Sequence, residues 1–153
     1  MSSPRAKLAE LGLELPPVTA PLAAYMPAVR TGNHVYVSGQ VPMVAGKLQL
    51  TGKVGAEVSP EQAQQLAARC ALNALAAIDD LVGLEAIVRI VKVVGFVASA
   101  TGFTGQPGVI NGASEFLVEV FGEAGRHARS AVGVAELPLG APVEVELIAE
   151  VTP

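Results

Sequence analysis

The sequence is poor in the residues that most chemistry relies on. It holds one cysteine, two histidines and no tryptophan, and charged residues make up only 16% of its 153 positions. A single cysteine excludes a disulfide framework and a cysteine-based zinc site. With only His34 and His127 beside Cys70, no metal centre is expected. A spanning helix needs about 20 consecutive apolar residues. The richest apolar stretch, residues 87–98, is broken by Arg89 and Lys92, so no membrane span is expected. Residues 1–10 lack the apolar core of a secretory leader, and a cytoplasmic location is expected. No glycine-rich loop carries the lysine of a phosphate loop; the nearest cluster, residues 102–108, lacks it. Positive charge is also short. A net charge of -4 and a pI near 5.1 argue against a dedicated nucleic-acid binder.

What is present is apolar. Hydrophobic residues reach 51% and the mean hydropathy is +0.48, too apolar for a disordered chain. The length suits one domain of about 100–150 residues. Charge is scarce enough that another chain is expected to cover part of the surface.

The patterning predicts an α+β order of β-β-α-β-α-β-β, with helices on one face of a mixed sheet. Ser3-Pro4 opens a short helix over residues 5–11, ended by Gly12. Residues 13–27 are proline-rich and expected to be extended. Residues 26–30 and 33–39 form a hairpin turning at Gly32-Asn33, with Val35 and Val37 on its inner face. Residues 46–52 suggest a tight loop or short hairpin. Ser59-Pro60-Glu61-Gln62 reads as a capping box opening a long helix that ends at Gly83. Its apolar face is Ala63, Leu66, Cys70, Ala74, Ile78 and Leu81. Residues 87–99 form a strand apolar on both faces, with Val88, Ile90, Val94 and Phe96 on one and Ile87, Val91, Val93 and Val97 on the other. Such a strand is covered on both sides, and a neighbouring subunit is a candidate for the second cover. A second helix spans residues 109–121. Strands over residues 129–135 and 143–151 follow, the latter alternating apolar with Glu144, Glu146 and Glu150.

Few side chains can carry chemistry. Arg129 opens a strand whose same-face neighbours, Ala131, Gly133 and Ala135, are small. Space in front of a guanidinium suits bidentate capture of a carboxylate or phosphate. The alternative is an edge arginine paired to Glu144 or Glu146. Should the last two strands pair directly, Glu144 lies near Arg129 with some offset, where an un-neutralised carboxylate can activate water. Otherwise it simply faces solvent. Tyr25 is either core or lid. Ser38 before Gly39 leaves room for a ligand near the backbone. Cys70, on an apolar helix face, reads as a small buried hydrophobe.

Three blocks carry a resemblance. They are Tyr25-x6-Gly32-Asn33-x3-Val37-Ser38-Gly39-Gln40-Val41-Pro42; Asn111 followed by Phe121 and Ala128-Arg129-Ser130; and Arg129-Ser130-x-Val132-x4-Leu137-Pro138-x4-Val143-Glu144-Val145-Glu146. In this order they resemble the RidA family, also called the YjgF family. The resemblance implies a single domain over residues 1–153 with an N-terminal extension over 1–20. It implies a fold like the Bacillus-type chorismate mutase, two main helices on one sheet face, and a barrel-like homotrimer with clefts between subunits. It also implies cofactor-free hydrolysis of 2-imino and enamino acids to 2-keto acids and ammonia. Arg129 would then bind the substrate carboxylate and Glu144 would polarise the attacking water. Tyr25 would close the pocket, Ser38 and Gly39 would line it, and Asn111 would lie nearby. Ala131 stands where many members have cysteine, and its backbone carbonyl remains available. The alternatives are a non-catalytic trimer that binds small carboxylates, or the endoribonuclease or translation inhibitor that some relatives are named for.

Overall fold

The computed structural model describes residues 2–18 and 24–153. Part of the extended stretch expected over residues 13–27 therefore lies outside the described residues; its remainder, 13–18 and 24–27, contains no helix or strand. Helix α1, Pro4–Glu10, starts where Ser3 accepts a hydrogen bond from the Ala6 amide at 3.1 Å. Its Leu8 reaches the core at 2% exposure, and Arg5 pairs with Asp79 at 2.5 Å. Helix α1, within the expected N-terminal extension, is thus anchored to the rest of the chain.

Strands β1, Ala28–Thr31, and β2, His34–Gln40, form the expected hairpin. The turn works because Gly32 has φ 57, the first-position geometry of a type II′ turn that matches strand twist. A short hairpin of β3, Met43–Val44, and β4, Lys47–Leu48, follows, placed slightly before the expected 46–52. Its two-residue turn has φ 52 at Ala45 and 78 at Gly46, the type I′ pattern. Alanine is strained there by its Cβ, and asparagine, whose short amide can hydrogen-bond to the local backbone, tolerates the left-handed region better. Ala45→Asn should therefore stabilise the fold by about 1 kcal/mol. Thermal denaturation should show Tm raised by about 2–4 °C.

Helix α2, Pro60–Val82, keeps its predicted capping box: Ser59 and Gln62 bond to each other's backbone amides at 3.1 and 3.0 Å. Its alanines let other backbones approach closely. The buried face is Ala63, Ala67, Cys70, Ala71, Ala74, Leu75 and Ile78, while Leu81 is 42% exposed rather than buried. Helix α3, Gln106–Phe121, begins three residues before the expected start at Val109, with Pro107 in its first turn. Each fully buried Leu, Ile or Val here contributes about 1.5–3 kcal/mol.

Strands β5, Ile87–Ala98, β6, Ala128–Val134, and β7, Val143–Val151, complete a five-stranded sheet of order β1-β2-β7-β5-β6. On β7 the alternation is as read: Val143, Val145, Leu147, Ala149 and Val151 are buried beneath the helices. Two expectations change. First, Ile90 does not share a face with Val94 and Phe96. It is buried with Val93 and Val97, because the register shifts between Ile90 and Lys92. In an unbroken strand Ile90 and Lys92 would point the same way; the bulge keeps the lysine out of the core. Second, β6 and β7 do not pair. β5 lies between them, antiparallel to β7 and parallel to β6. The connection over residues 135–142 crosses β5 instead of closing a hairpin.

The two main helices lie on one sheet face. The other face carries a row from Val29 through Tyr36 and Ile148 to Lys92, and a second from Glu144 through Phe96 to Val132. Val29, Tyr36, Val88 and Val132 remain 43–52% exposed on this chain.

Candidate functional site

The sheet divides the candidate residues into two groups. Arg129, Ala131 and Gly133 pair with Val93, Gly95 and Val97, so they share the helix-side face. There Arg129 meets α3: one guanidinium nitrogen donates to Asn111 Oδ1 at 2.8 Å and to Ser114 Oγ at 3.2 Å. Among the described residues no carboxylate lies within 4.0 Å of it, so the ion pair with Glu144 or Glu146 does not form. Its other N–H groups make no hydrogen bond to those residues. A half-buried, tethered and unneutralised guanidinium is well suited to a carboxylate.

The strip beyond Arg129 is less open than small side chains suggest. A methyl on Gly133 would lie 2.8 Å from Gln106 Nε2 and 3.1 Å from Ser99 Oγ. Gln106 is itself bonded to Ser99 and to the Phe103 carbonyl. The strip is therefore filled at Gly133 by the Gln106 and Ser99 side chains.

The second group sits on the opposite face. Glu144 lies across from Phe96 and beside Gly39; a methyl on Gly39 would come 2.9 Å from the Glu144 carboxyl carbon. Glycine at 39 is what gives this carboxylate its place. Ser38 Oγ donates to the Met26 carbonyl at 2.6 Å, which ties the bend holding the exposed Tyr25 to β2. Burial, and then the charge of Glu146, raise the Glu144 pKa above that of a free carboxylate. A carboxylate so shifted is a better base near neutral pH.

One chain thus gathers Arg129 with Asn111, and Glu144 with Gly39, Ser38 and the Tyr25 bend. It does not bring Arg129 to Glu144. They occupy opposite faces, with β5 between their strands.

Two residues have a part here that the sequence did not show: Ser114, and His127, which enters there only as a metal-ligand candidate. Ser114 Oγ lies 2.9 Å from His127 Nε2, and His127 Nδ1 lies 2.6 Å from the Gly125 carbonyl. The spacing held a clue: Ser114 is one helical turn beyond Asn111, and His127 is two residues before Arg129. His127 has its pKa lowered by burial, an effect the Gly125 bond opposes and the Arg129 charge reinforces. Cys70 is fully buried, and burial and then Glu144 push its thiol up, so it stays protonated and unreactive. Among the described residues no three ligating side chains gather to hold a metal ion. No helix among them is long and apolar enough to cross a membrane.

Comparison with known proteins places these features. Residues 5–151 match the family model described as "YjgF/chorismate_mutase-like, putative endoribonuclease". The chain is 43% identical over 147 residues to Protein TCP17 of Trypanosoma cruzi, covering 95% of this chain and 92% of that one. It is 34% identical over 137 residues to the 2-iminobutanoate/2-iminopropanoate deaminase of Dermatophagoides farinae, covering 89% and 92%. A crystal structure named for a "putative endoribonuclease" of Shewanella oneidensis superposes with a TM-score of 0.94 at 34% identity. That alignment covers 98% of this chain and 100% of the other, so the α1 segment has a counterpart there. On the match across nearly its whole length and on its α+β layering, the chain belongs to the YjgF/RidA family.

Proposed function

We propose that this protein hydrolyses 2-imino acids and their enamine tautomers to 2-keto acids and ammonia, in clefts between the copies of a homotrimer. The observation that carries this reading is Arg129, an arginine without a carboxylate partner, held on one nitrogen by Asn111 and Ser114. A relative named as an iminobutanoate and iminopropanoate deaminase supports the same chemistry.

The reaction needs an anchor and an oriented water. Arg129 of one copy holds the substrate carboxylate. Glu144 of a neighbour, on its exposed sheet face, takes a proton from water as the oxygen bonds to the imine carbon. That proton then passes to nitrogen to give the amino alcohol. Glu144 next takes the hydroxyl proton and returns it to nitrogen, so that the C–N bond breaks, ammonia leaves and the carbonyl forms. Tyr25, Ser38 and Gly39 line the side of the cleft that carries Glu144, and Ala131 and Asn111 the side that carries Arg129. The exposed Val29, Tyr36, Val88 and Val132 give the sheet face an apolar surface for another copy to cover.

An amino-acid oxidase will generate the imine in the presence of semicarbazide. The wild-type protein should suppress semicarbazone formation, and light scattering should give three times the chain mass. A monomer, or no effect on trapping, would remove this reading. The alternative is a carboxylate-binding protein without turnover. It is favoured by the separation of Arg129 from Glu144 in one chain, and predicts that a 2-keto acid binds while the imine survives. The negative net charge weighs against RNA cleavage.

A further inference from the structure

We propose that Ser114 and His127 are positioning residues of the Arg129 anchor, and that carboxylate binding there is coupled to proton uptake by His127. The inference rests on the reading of Arg129 as the carboxylate anchor and adds the machinery behind it.

The hydrogen bonds set the direction of each proton. The Gly125 carbonyl can only accept, so His127 Nδ1 carries hydrogen. In the neutral ring Nε2 is then an acceptor and takes the Ser114 O–H. Ser114 in turn accepts from the Arg129 guanidinium. The chain from Gly125 to Arg129 is thus fully ordered, and the serine O–H is committed to the ring. Gly125 packs against α3 with no room for a side chain: a methyl there would lie 2.8 Å from the Leu117 carbonyl carbon and 2.9 Å from Val118 Cα.

Protonation reverses one link. Nε2 becomes a donor to Ser114 Oγ, whose lone pairs can accept from both the ring and Arg129. The serine O–H is released and can turn to an anion on Arg129. A second positive charge also stands behind the anchor.

The other charged groups on the packed elements are Glu115 and Glu119 of α3, Glu123 and Arg126 of the connection, and Arg89 and Lys92 of β5. Arg126 is paired with Glu123 at 3.1 Å, and Arg89 donates to the Arg126 carbonyl at 3.0 Å. The charge that acts on the ring is that of Arg129, and it opposes protonation. A carboxylate on Arg129 offsets that charge, so the bound state holds the His127 proton more strongly. By linkage, a protonated His127 must then hold the carboxylate more strongly. Affinity should rise as pH falls through the titration of the ring and level off below it.

Pyruvate, ionised throughout, is a suitable probe. Its binding would be measured by calorimetry across about pH 5–8, where histidine titrates. Two buffers of different ionisation enthalpy would count the protons taken up. The wild-type trimer should bind about fivefold or more tightly at the acid end, with net proton uptake. Because the Glu144 carboxyl of the same cleft also titrates upward of a free carboxylate, the comparison is made in a Glu144→Gln background. There the pH dependence should persist with His127 present, and His127→Gln should bind with a flat profile. In the wild type, NMR should show the His127 ring titrating at higher pH when pyruvate is bound. The NMR readout uses the wild-type protein and does not depend on the variant folding. Binding abolished in Arg129→Ala but flat with pH in the wild type, with no shift of the ring, would overturn the coupling and leave the anchor intact. Binding indifferent to Arg129 would overturn both.

Discussion

Chains carrying Arg129→Ala and chains carrying Glu144→Gln will each be nearly inactive, and an equal mixture reassembled together will regain about a quarter of wild-type activity if copies join head to tail in a ring. Each single loss is large for its own reason. Removing a positioned acid–base group costs about 10²- to 10⁴-fold. Removing the guanidinium deletes charge-assisted hydrogen bonds worth about 1.5–3 kcal/mol each. Recovery follows from the sheet order. β5 separates β6 from β7 and Arg129 and Glu144 present themselves on opposite faces, so under the proposed mechanism they serve different clefts. A cleft is intact when its arginine comes from a Glu144→Gln chain and its glutamate from an Arg129→Ala chain. The measurement is ammonia release from the oxidase-coupled imine, with reassembly confirmed by mass. Mixed trimers with no recovery would mean that each chain builds its own site.

Among glycine-to-alanine changes, Gly112→Ala should be the most damaging. A Cβ at Gly112 would fall on the Gln64 carbonyl of α2, with the Gln64 carbonyl carbon 2.7 Å away. Both obstacles are backbone, so no rotamer change relieves them, and α3 must move away from α2. Overpacking of this kind costs about 1–3 kcal/mol, and each kcal/mol lowers Tm by about 2–4 °C in a domain of this size. Asn111 and Ser114 ride on the same helix and hold Arg129. The displacement should therefore also raise KM for the imine while changing kcat less. Thermal melts and steady-state kinetics on the variant check both effects. An unchanged Tm would mean that the helices have slack at this contact.

The fold was legible wherever local chemistry decided the outcome. The Ser59 capping box, the Gly32 turn and the strict alternation of residues 143–151 each carry their own instruction, and each appears in the structure. What was hidden depended on partners distant in sequence. The bulge at Ile90–Lys92 cannot be inferred from a run in which nearly every residue is apolar. The insertion of β5 between the last two strands is a choice of topology, and it removed the direct pairing that would have set Glu144 near Arg129. For the candidate site, residue types pointed to Arg129 but not to its restraints. Ser114 on a helix and His127 before a strand carry no pattern until α3 lies against β6.

The placement of Arg129 and Glu144 on opposite faces has a further consequence under the proposed mechanism. A lone chain carries half of each of two clefts and all of none. The rate per molecule will therefore fall on dilution, once the copies begin to separate, even though every chain stays folded. Turnover becomes a measure of how much of this protein is present, and a sparse population is silent without any dedicated inhibitor.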